Sequence, residues 1–168
     1  GLNITLPLKN LAAQIAGNIS KEAKHLQAVN TITKIDGILS LDSTDGVGFM
    51  EDLRSKKIDI IGKNILILGA GAAVQSILYK LVTGNPNTIS ILNRSQDKAE
   101  TLVKKYVEYT SLGSCLKEDI HYDLIINGTS AGLTGEFIAP EGINLSNSTC
   151  FYDLNYSLES TPFCSWAK

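Results

Sequence analysis

The chain has 168 residues, 43% of them hydrophobic and 19% charged, which suits one domain of ordinary size or one domain with a piece of another. A formal net charge of -2 lacks the basic footprint of a nucleic-acid binder. No apolar run approaches the roughly 18 residues a bilayer requires, and the N-terminus lacks a signal-peptide layout.

The first third of the sequence has its own texture. "LNITLP" reads as a strand closed by Pro7, and Ser20 is placed to cap a short helix, "KEAKHL". "AVNTITKIDGILSLD" alternates around Asp36-Gly37, a strong two-residue hairpin signal. Thr44 is expected to cap a helix from near Asp45 to about Lys57, bridging two units. From residue 64 onward strands and helices alternate: "NILIL", then a helix to Gly84, then "TISIL", then "QDKAETLVKKY" capped by Ser95. "YDLII" and "CFYDL" are further buried-strand candidates, and Thr161-Pro162 opens a last helix. This order predicts an α/β fold: a Rossmann-like doubly wound parallel sheet over 45–168, bridging helix included, preceded by a separate, smaller α/β unit over 1–44.

Three widely spaced cysteines, Cys115, Cys150 and Cys164, are expected to be reduced and mostly buried thiols of a cytoplasmic protein. His25 and His121 stand apart from any metal-ligand set, so no metal is expected.

"ILGAGAAV" places Gly69 and Gly71 between an apolar strand and an amphipathic helix. The first glycine permits the tight turn, and the second lets the backbone approach a pyrophosphate facing the helix N-terminus. The third glycine of the fingerprint is replaced by small apolar residues, and a strand-to-helix turn can need glycine for steric reasons alone. The informative stretch follows the second strand. Where an NAD-binding domain places a carboxylate for the ribose 2′-OH, this chain has "NRSQDK": Asn93, Arg94, Ser95 and, a turn later, Lys98. A carboxylate would repel a 2′-phosphate, whereas a guanidinium fork suits its oxygens. The alternative is a solvated polar loop. With the Gly-rich turn beside it, the stretch indicates NADP.

Two ionisable residues stand out in the N-terminal segment. Lys9 follows "NITLP" at a strand end, and Asp45 opens the bridging helix in "DSTDGVGF". Taken alone, such a Lys is ordinarily solvated and such an Asp ordinarily serves the helix dipole.

The segments "NITLPLK", "AVNT", "STDGVGF", "ILGAGAA", "NRSQDKA", "INGTSAG" and "YDLNYSLESTPF", in this order and along the whole chain, resemble the shikimate dehydrogenase family, including its quinate/shikimate relatives. The resemblance implies NADP-dependent interconversion of 3-dehydroshikimate and shikimate, a step of aromatic amino-acid biosynthesis, in a cleft between two domains. It makes Lys9 and Asp45 the catalytic pair, with Thr5, Asn30 and Tyr156 against the substrate. It assigns Gly69, Ala70, Gly71, Ala72 and Ala73 to the pyrophosphate, and Asn93, Arg94, Ser95 and Lys98 to the adenosine phosphate. Thr129, Ser130 and Leu154 fall along the nicotinamide half. Gln27, Ser43 and Leu8 depart from the usual pattern, Gln27 standing where the family has Gly before "AVNT". The resemblance further implies an N-terminal segment with two serines and a C-terminal helix with a Gln, neither found in these residues, which leaves the substrate unit partial. A monomer or homodimer is expected, with a small-molecule substrate and neither nucleic acid nor membrane as partner. Two other readings stay open: an NADP-binding module without turnover, and a paralogue that acts on quinate or another polyol acid, or that uses NAD.

Overall fold

The computed structural model describes residues 1–5, 7–117, 119–130 and 137–168. Their strands form two sheets. The larger has five parallel strands in the order β7-β6-β5-β8-β9, built from β5 (Asn64–Leu68), β6 (Thr88–Leu92), β7 (Ser111–Gly113), β8 (Leu124–Asn127) and β9 (Cys150–Asp153). The order reverses between β5 and β8, so the C-terminal ends of these two strands flank the switch point where doubly wound folds open a ligand crevice.

The apolar runs explain the double cover. In β5, Ile65 and Ile67 belong to one core cluster while Leu66 and Leu68 belong to another, and all four are buried. Successive side chains of a strand point to opposite faces, so a run without polar breaks needs helices on both sides. One face receives α3 (Asp45–Ser55), α4 (Ala72–Thr83) and α5 (Gln96–Tyr106) through Phe49, Leu78 and Leu102. The other receives the short C-terminal helix α6 (Pro162–Trp166), whose Phe163 is fully buried and stacks edge-on with Phe137. Thr161 accepts the Cys164 amide through its hydroxyl at 3.1 Å and caps α6, with Pro162 at its start, as the sequence suggested.

The smaller sheet has the order β1-β3-β4-β2, from β1 (Leu2–Asn3), β2 (Asn18–Ile19), β3 (Thr31–Ile35) and β4 (Ile38–Asp42). The hairpin β3–β4 pairs Ile35 with Ile38 across Asp36 (φ 48°) and Gly37 (φ 83°), the left-handed pair that an Asp-Gly turn supplies. Helices α1 (Lys9–Ala12) and α2 (Lys21–Leu26) complete this unit, and the Ser20 hydroxyl accepts the Ala23 amide to cap α2.

Several expectations need correction. Cys115 is exposed while Cys150 and Cys164 are half-buried, because the strand and helix carrying the latter two lie at the sheet margin rather than in its centre. Thr44 and Ser95 precede their helices but cap neither with a side chain. The Thr44 hydroxyl donates instead to Asn30 Oδ1, at 3.2 Å, and Ser95 offers its backbone carbonyl to Asn93. Lys9 opens a one-turn helix rather than ending a strand, since the strand stops at Asn3. The elements α1, β2 and β7 are too short for a periodic signal.

Candidate functional site

Strand β5 delivers the chain to Gly69, which has φ 104°. A Cβ there would stand 2.9 Å from both the carbonyl carbon and oxygen of Gly128 and 3.1 Å from the Thr129 nitrogen. The turn after β5 and the end of β8 therefore touch backbone to backbone, and only glycine admits this approach. Gly71 is the opposite case: nothing lies within 4 Å of where its Cβ would be. Its bare backbone faces open space at the head of α4. No side chain caps that helix, and Gln75 is the first residue seen to donate back, to the Gly71 carbonyl at 3.0 Å. The preceding amides are without intrahelical partners, and the positive end of the helix dipole lies with them. This is an anion cradle.

The end of β6 completes it. Asn93 accepts the Ala70 amide on Oδ1 (3.1 Å) and donates Nδ2 to the Ser95 carbonyl (2.9 Å). Its amide thus ties the Gly-rich turn to the next loop, a scaffolding use that its position alone did not disclose. Arg94, Ser95 and Lys98 are exposed. Among the described residues neither Arg94 nor Lys98 forms an ion pair. The two strand ends enclose a cavity of about 950 Å³, lined by Gly69, Ala70, Gly71, Ala72, Ala73, Asn93, Arg94, Ser95, Lys98, Thr129 and Ser130. A pocket for a dinucleotide is of this size class. Leu154, the remaining residue assigned to the cofactor, does not line it. Its amide donates to the Asn127 carbonyl at 2.8 Å, and its side chain packs behind Gly128.

Sequence reasoning missed Gly128, Asn155 and the apolar wall of Phe137, Ile138 and Pro140, all of which line the cavity. The signal for Gly128 was the Asn-Gly step after a buried strand. Asn127, fully buried, accepts the Thr129 amide (3.1 Å) and hydroxyl (2.7 Å) and donates to Asp153 (3.0 Å). Asn155 then donates to the Thr129 carbonyl at 2.9 Å, so β8 and β9 share one polar network at the pocket floor.

The second group lies across the head of α4. Lys9 Nζ donates to Asp45 Oδ2 at 2.7 Å, and Asn30 Nδ2 donates to Asp45 Oδ1 at 2.6 Å. Asn30 Oδ1 in turn accepts the Thr44 amide (2.9 Å) and the Thr31 hydroxyl (2.8 Å). The carboxylate is held on both oxygens, and the amide that holds it is fixed by the residues on either side of the hairpin. Lys9 and Asp45 line a cavity of about 60 Å³ together with Ser43, Ala72, Gln75 and Ser76. Ala72 borders both cavities. Thr5 and Tyr156 are not brought to this group. Thr5 is exposed and uses its carbonyl to accept the Leu8 amide, while Tyr156 is 95% exposed. Among the described residues, no cluster of three or more His, Cys, Asp or Glu could hold a metal ion, and no helix is long and apolar enough to cross a membrane.

A glycine-lined anion cradle at the switch point of a parallel sheet defines a Rossmann-like protein of the dinucleotide-binding class. A sequence model of the shikimate / quinate 5-dehydrogenase family matches residues 52–137, and the chain belongs to that family. Over its whole length the chain is 39% identical to the shikimate dehydrogenase (NADP(+)) of Cellvibrio japonicus, of which it covers 62%. The shikimate 5-dehydrogenase of Listeria monocytogenes, solved with shikimate and NAD, superposes on 98% of the chain with a TM-score of 0.84 and 29% identity, the chain covering 63% of it. That of Thermus thermophilus, solved with NADP(H) and shikimate, matches 78% of the chain at 31% identity and a TM-score of 0.67, with 48% of its own length covered. The chain thus spans about three fifths of the curated relatives it matches.

Proposed function

We propose that this chain carries the cofactor site and the proton-transferring pair of an NADP-dependent shikimate dehydrogenase, which reduces 3-dehydroshikimate to shikimate reversibly. The observation that carries the reading is the sharing of Ala72: the first residue of α4 borders both the anion cradle and the cavity of Lys9 and Asp45. A cofactor with its phosphates on the cradle and a substrate beside the amine would be neighbours across one residue. Residues 1–44 are the substrate side in this reading, and residues 45–168 the cofactor side.

The residues fit the cofactor. Bare backbone at Gly71 and the free amides of α4 suit a pyrophosphate, while Arg94, Ser95 and Lys98 offer cationic and hydroxyl donors to a 2′-phosphate, and no carboxylate lines the cavity among the described residues. When bound, the reduced nicotinamide supplies the hydride that turns the ketone carbon into a carbinol. The protein handles the proton. The Lys9 ammonium gives a proton to the oxygen as it becomes an alkoxide, and in the reverse direction the neutral amine takes it from the hydroxyl. Asp45, fixed by Asn30, orients the ammonium and accepts the same hydroxyl's hydrogen bond. The two groups form one coupled unit, so the proton belongs to the pair. Asn30 would reach a substrate hydroxyl with its second amide hydrogen, whereas Thr5 and Tyr156, exposed and apart from the pair, would have to turn toward a bound substrate to contact it. Thr129 and Ser130, which line the larger cavity, would flank the nicotinamide half, with Leu154 supporting that wall from behind Gly128. We place the protein in the cytoplasm, as a monomer or homodimer without a nucleic-acid partner, in keeping with its mild acidity.

The test is to mix the protein with NADPH and 3-dehydroshikimate and follow the absorbance of the reduced cofactor. Substrate-dependent oxidation is expected, and Lys9→Ala should depress turnover by roughly 10²–10⁴-fold with a much smaller change in KM. Binding of NADPH without oxidation would reduce the chain to a cofactor-binding module. Near-normal turnover in Lys9→Ala would remove that residue from the mechanism.

A further inference from the structure

We infer that Glu22 is a positioning residue for the Lys9–Asp45 pair, acting through the glycine that follows Asp45. The inference rests on the dehydrogenase reading above. Glu22 lies in the first turn of α2 and is only 7% exposed, a burial that carboxylates accept when paired. Its Oε2 accepts Lys80 Nζ of α4 at 3.1 Å. Its Oε1 is buried and has no hydrogen-bond partner among the described residues. That oxygen is aimed at the start of α3. A Cβ on Gly46 would stand 2.5 Å from Glu22 Oε1, 2.8 Å from Lys80 Cγ and 3.2 Å from the Ser76 carbonyl oxygen.

The head of α3 therefore sits in a tight slot between α2 and α4, where any side chain in place of Gly46 must push the paired Glu22 and Lys80 side chains aside. The carboxylate faces the positive end of an 11-residue helix, which is a favourable place for it. The other wall of the slot is α4, whose own head carries the Gly-rich turn. One ion pair thus joins α2 to the helix that would bear the pyrophosphate, and the glycine next to Asp45 packs directly against it. It holds proton transfer and hydride transfer in register.

The titratable groups facing Glu22 are Lys80 of α4, Asp42 at the end of β4, Asp45 of α3 and Tyr106 of α5. Burial raises the Glu22 pKa above the usual carboxylate value and the neighbouring Asp42 and Asp45 add to this, while Lys80 opposes it. Paired with Lys80, the Glu22 side chain is held as a wall of the pocket in which the residue after Asp45 sits.

The experiment uses Glu22→Gln, which keeps the shape and can still accept from Lys80 but carries no charge. Acylation of Lys9, read by peptide mapping, should rise about threefold as the amine loses its fixed place beside Asp45, and kcat should fall about threefold with KM little changed. Glu22→Asp, which keeps the charge, should return Lys9 labelling to the parent level. Gly46→Ala should lower kcat by roughly tenfold or more, as the displaced Asp45 leaves the amine. Parent-like labelling and an unchanged kcat in Glu22→Gln would overturn the inference. If the protein oxidises no NADPH, the dehydrogenase reading falls, yet Lys9 labelling still decides the role of Glu22. If it is active and the labelling does not respond, the activity stands and Glu22 is discarded.

Discussion

The two glycines of the turn should separate stability from binding. At Gly69, alanine meets two costs. A backbone at φ 104° holds a non-glycine residue at roughly 1–3 kcal/mol. The added methyl, 2.9 Å from the Gly128 carbonyl group, overpacks two backbones that cannot rotate away, for roughly another 1–3 kcal/mol. The sum, about 2–6 kcal/mol, is a large part of the roughly 5–15 kcal/mol that holds a domain folded. At Gly71 neither cost applies. Its φ is -78°, its surroundings are empty, and alanine should cost less than about 1 kcal/mol, chiefly for a poorer helix start.

Binding should rank the variants the other way. A methyl on Gly71 projects into the space that a pyrophosphate would use, and loss of even one amide contact there corresponds to at least about a tenfold rise in Kd for NADPH. Urea unfolding supplies the first measurement, read as a midpoint shift with unchanged slope. Titration of NADPH fluorescence supplies the second. If Gly69→Ala unfolds at the same urea concentration as Gly71→Ala, the backbone contact between the turn and β8 is wrong. If Gly71→Ala binds NADPH as the parent does, the cradle is not where the phosphates sit.

Arg94→Ala should raise the Kd for NADPH by about 10–100-fold and leave that for NADH nearly unchanged, because a charge-assisted phosphate contact contributes roughly 1.5–3 kcal/mol. Equal losses for both cofactors would mean that the guanidinium does not read the 2′-phosphate. Gln27 ends α2 in the left-handed region at φ 55°, so Gln27→Gly should stabilise the fold by about 0.5–1 kcal/mol, with strain relief exceeding the added chain entropy. A lower unfolding midpoint would refute this. His25 stacks on Tyr79 at 4.6 Å, with Tyr106 and Tyr109 close by, and its Nε2 is buried without a partner among the described residues. Burial lowers its pKa below the ordinary value near 6.5, and the charge of Lys105 adds to this. The unfolded chain therefore binds more protons between the folded pKa and 6.5, so stability should fall as pH drops through that window. His25→Phe should flatten this part of the pH–stability curve, and an unchanged slope would clear His25.

Four strands of the larger sheet were legible because they are short, mostly apolar runs between helices that have either a periodic face or a strong stop such as Gly84, whereas β7, "SLG", is too short and too polar to announce itself. Hairpin β3–β4 was legible from two residues, Asp36 and Gly37, whose conformations are intrinsic to their types. Side-chain capping was not. Thr44 and Ser95 carry the right hydroxyls at the right positions, but the Thr44 hydroxyl is drawn to Asn30 and the Ser95 loop is already organised by Asn93. A competing acceptor contributed by a distant strand leaves no local trace in the sequence.

The same reason separates Asn30 and Gln27 from Glu22. Asn30 could be singled out within a recognisable motif, and Gln27 marked a departure at a position whose backbone favours glycine. Glu22 sits on what reads as a plain surface helix, "KEAKHL", and becomes buried only because α4 brings Lys80 against it and Gly46 leaves room for its oxygen. Three elements far apart in sequence must meet before that carboxylate has a role. Its partners are invisible one residue at a time. Proximity along the chain accordingly revealed the Gly-rich turn, whereas the support beneath the Lys9–Asp45 pair required the packed helices.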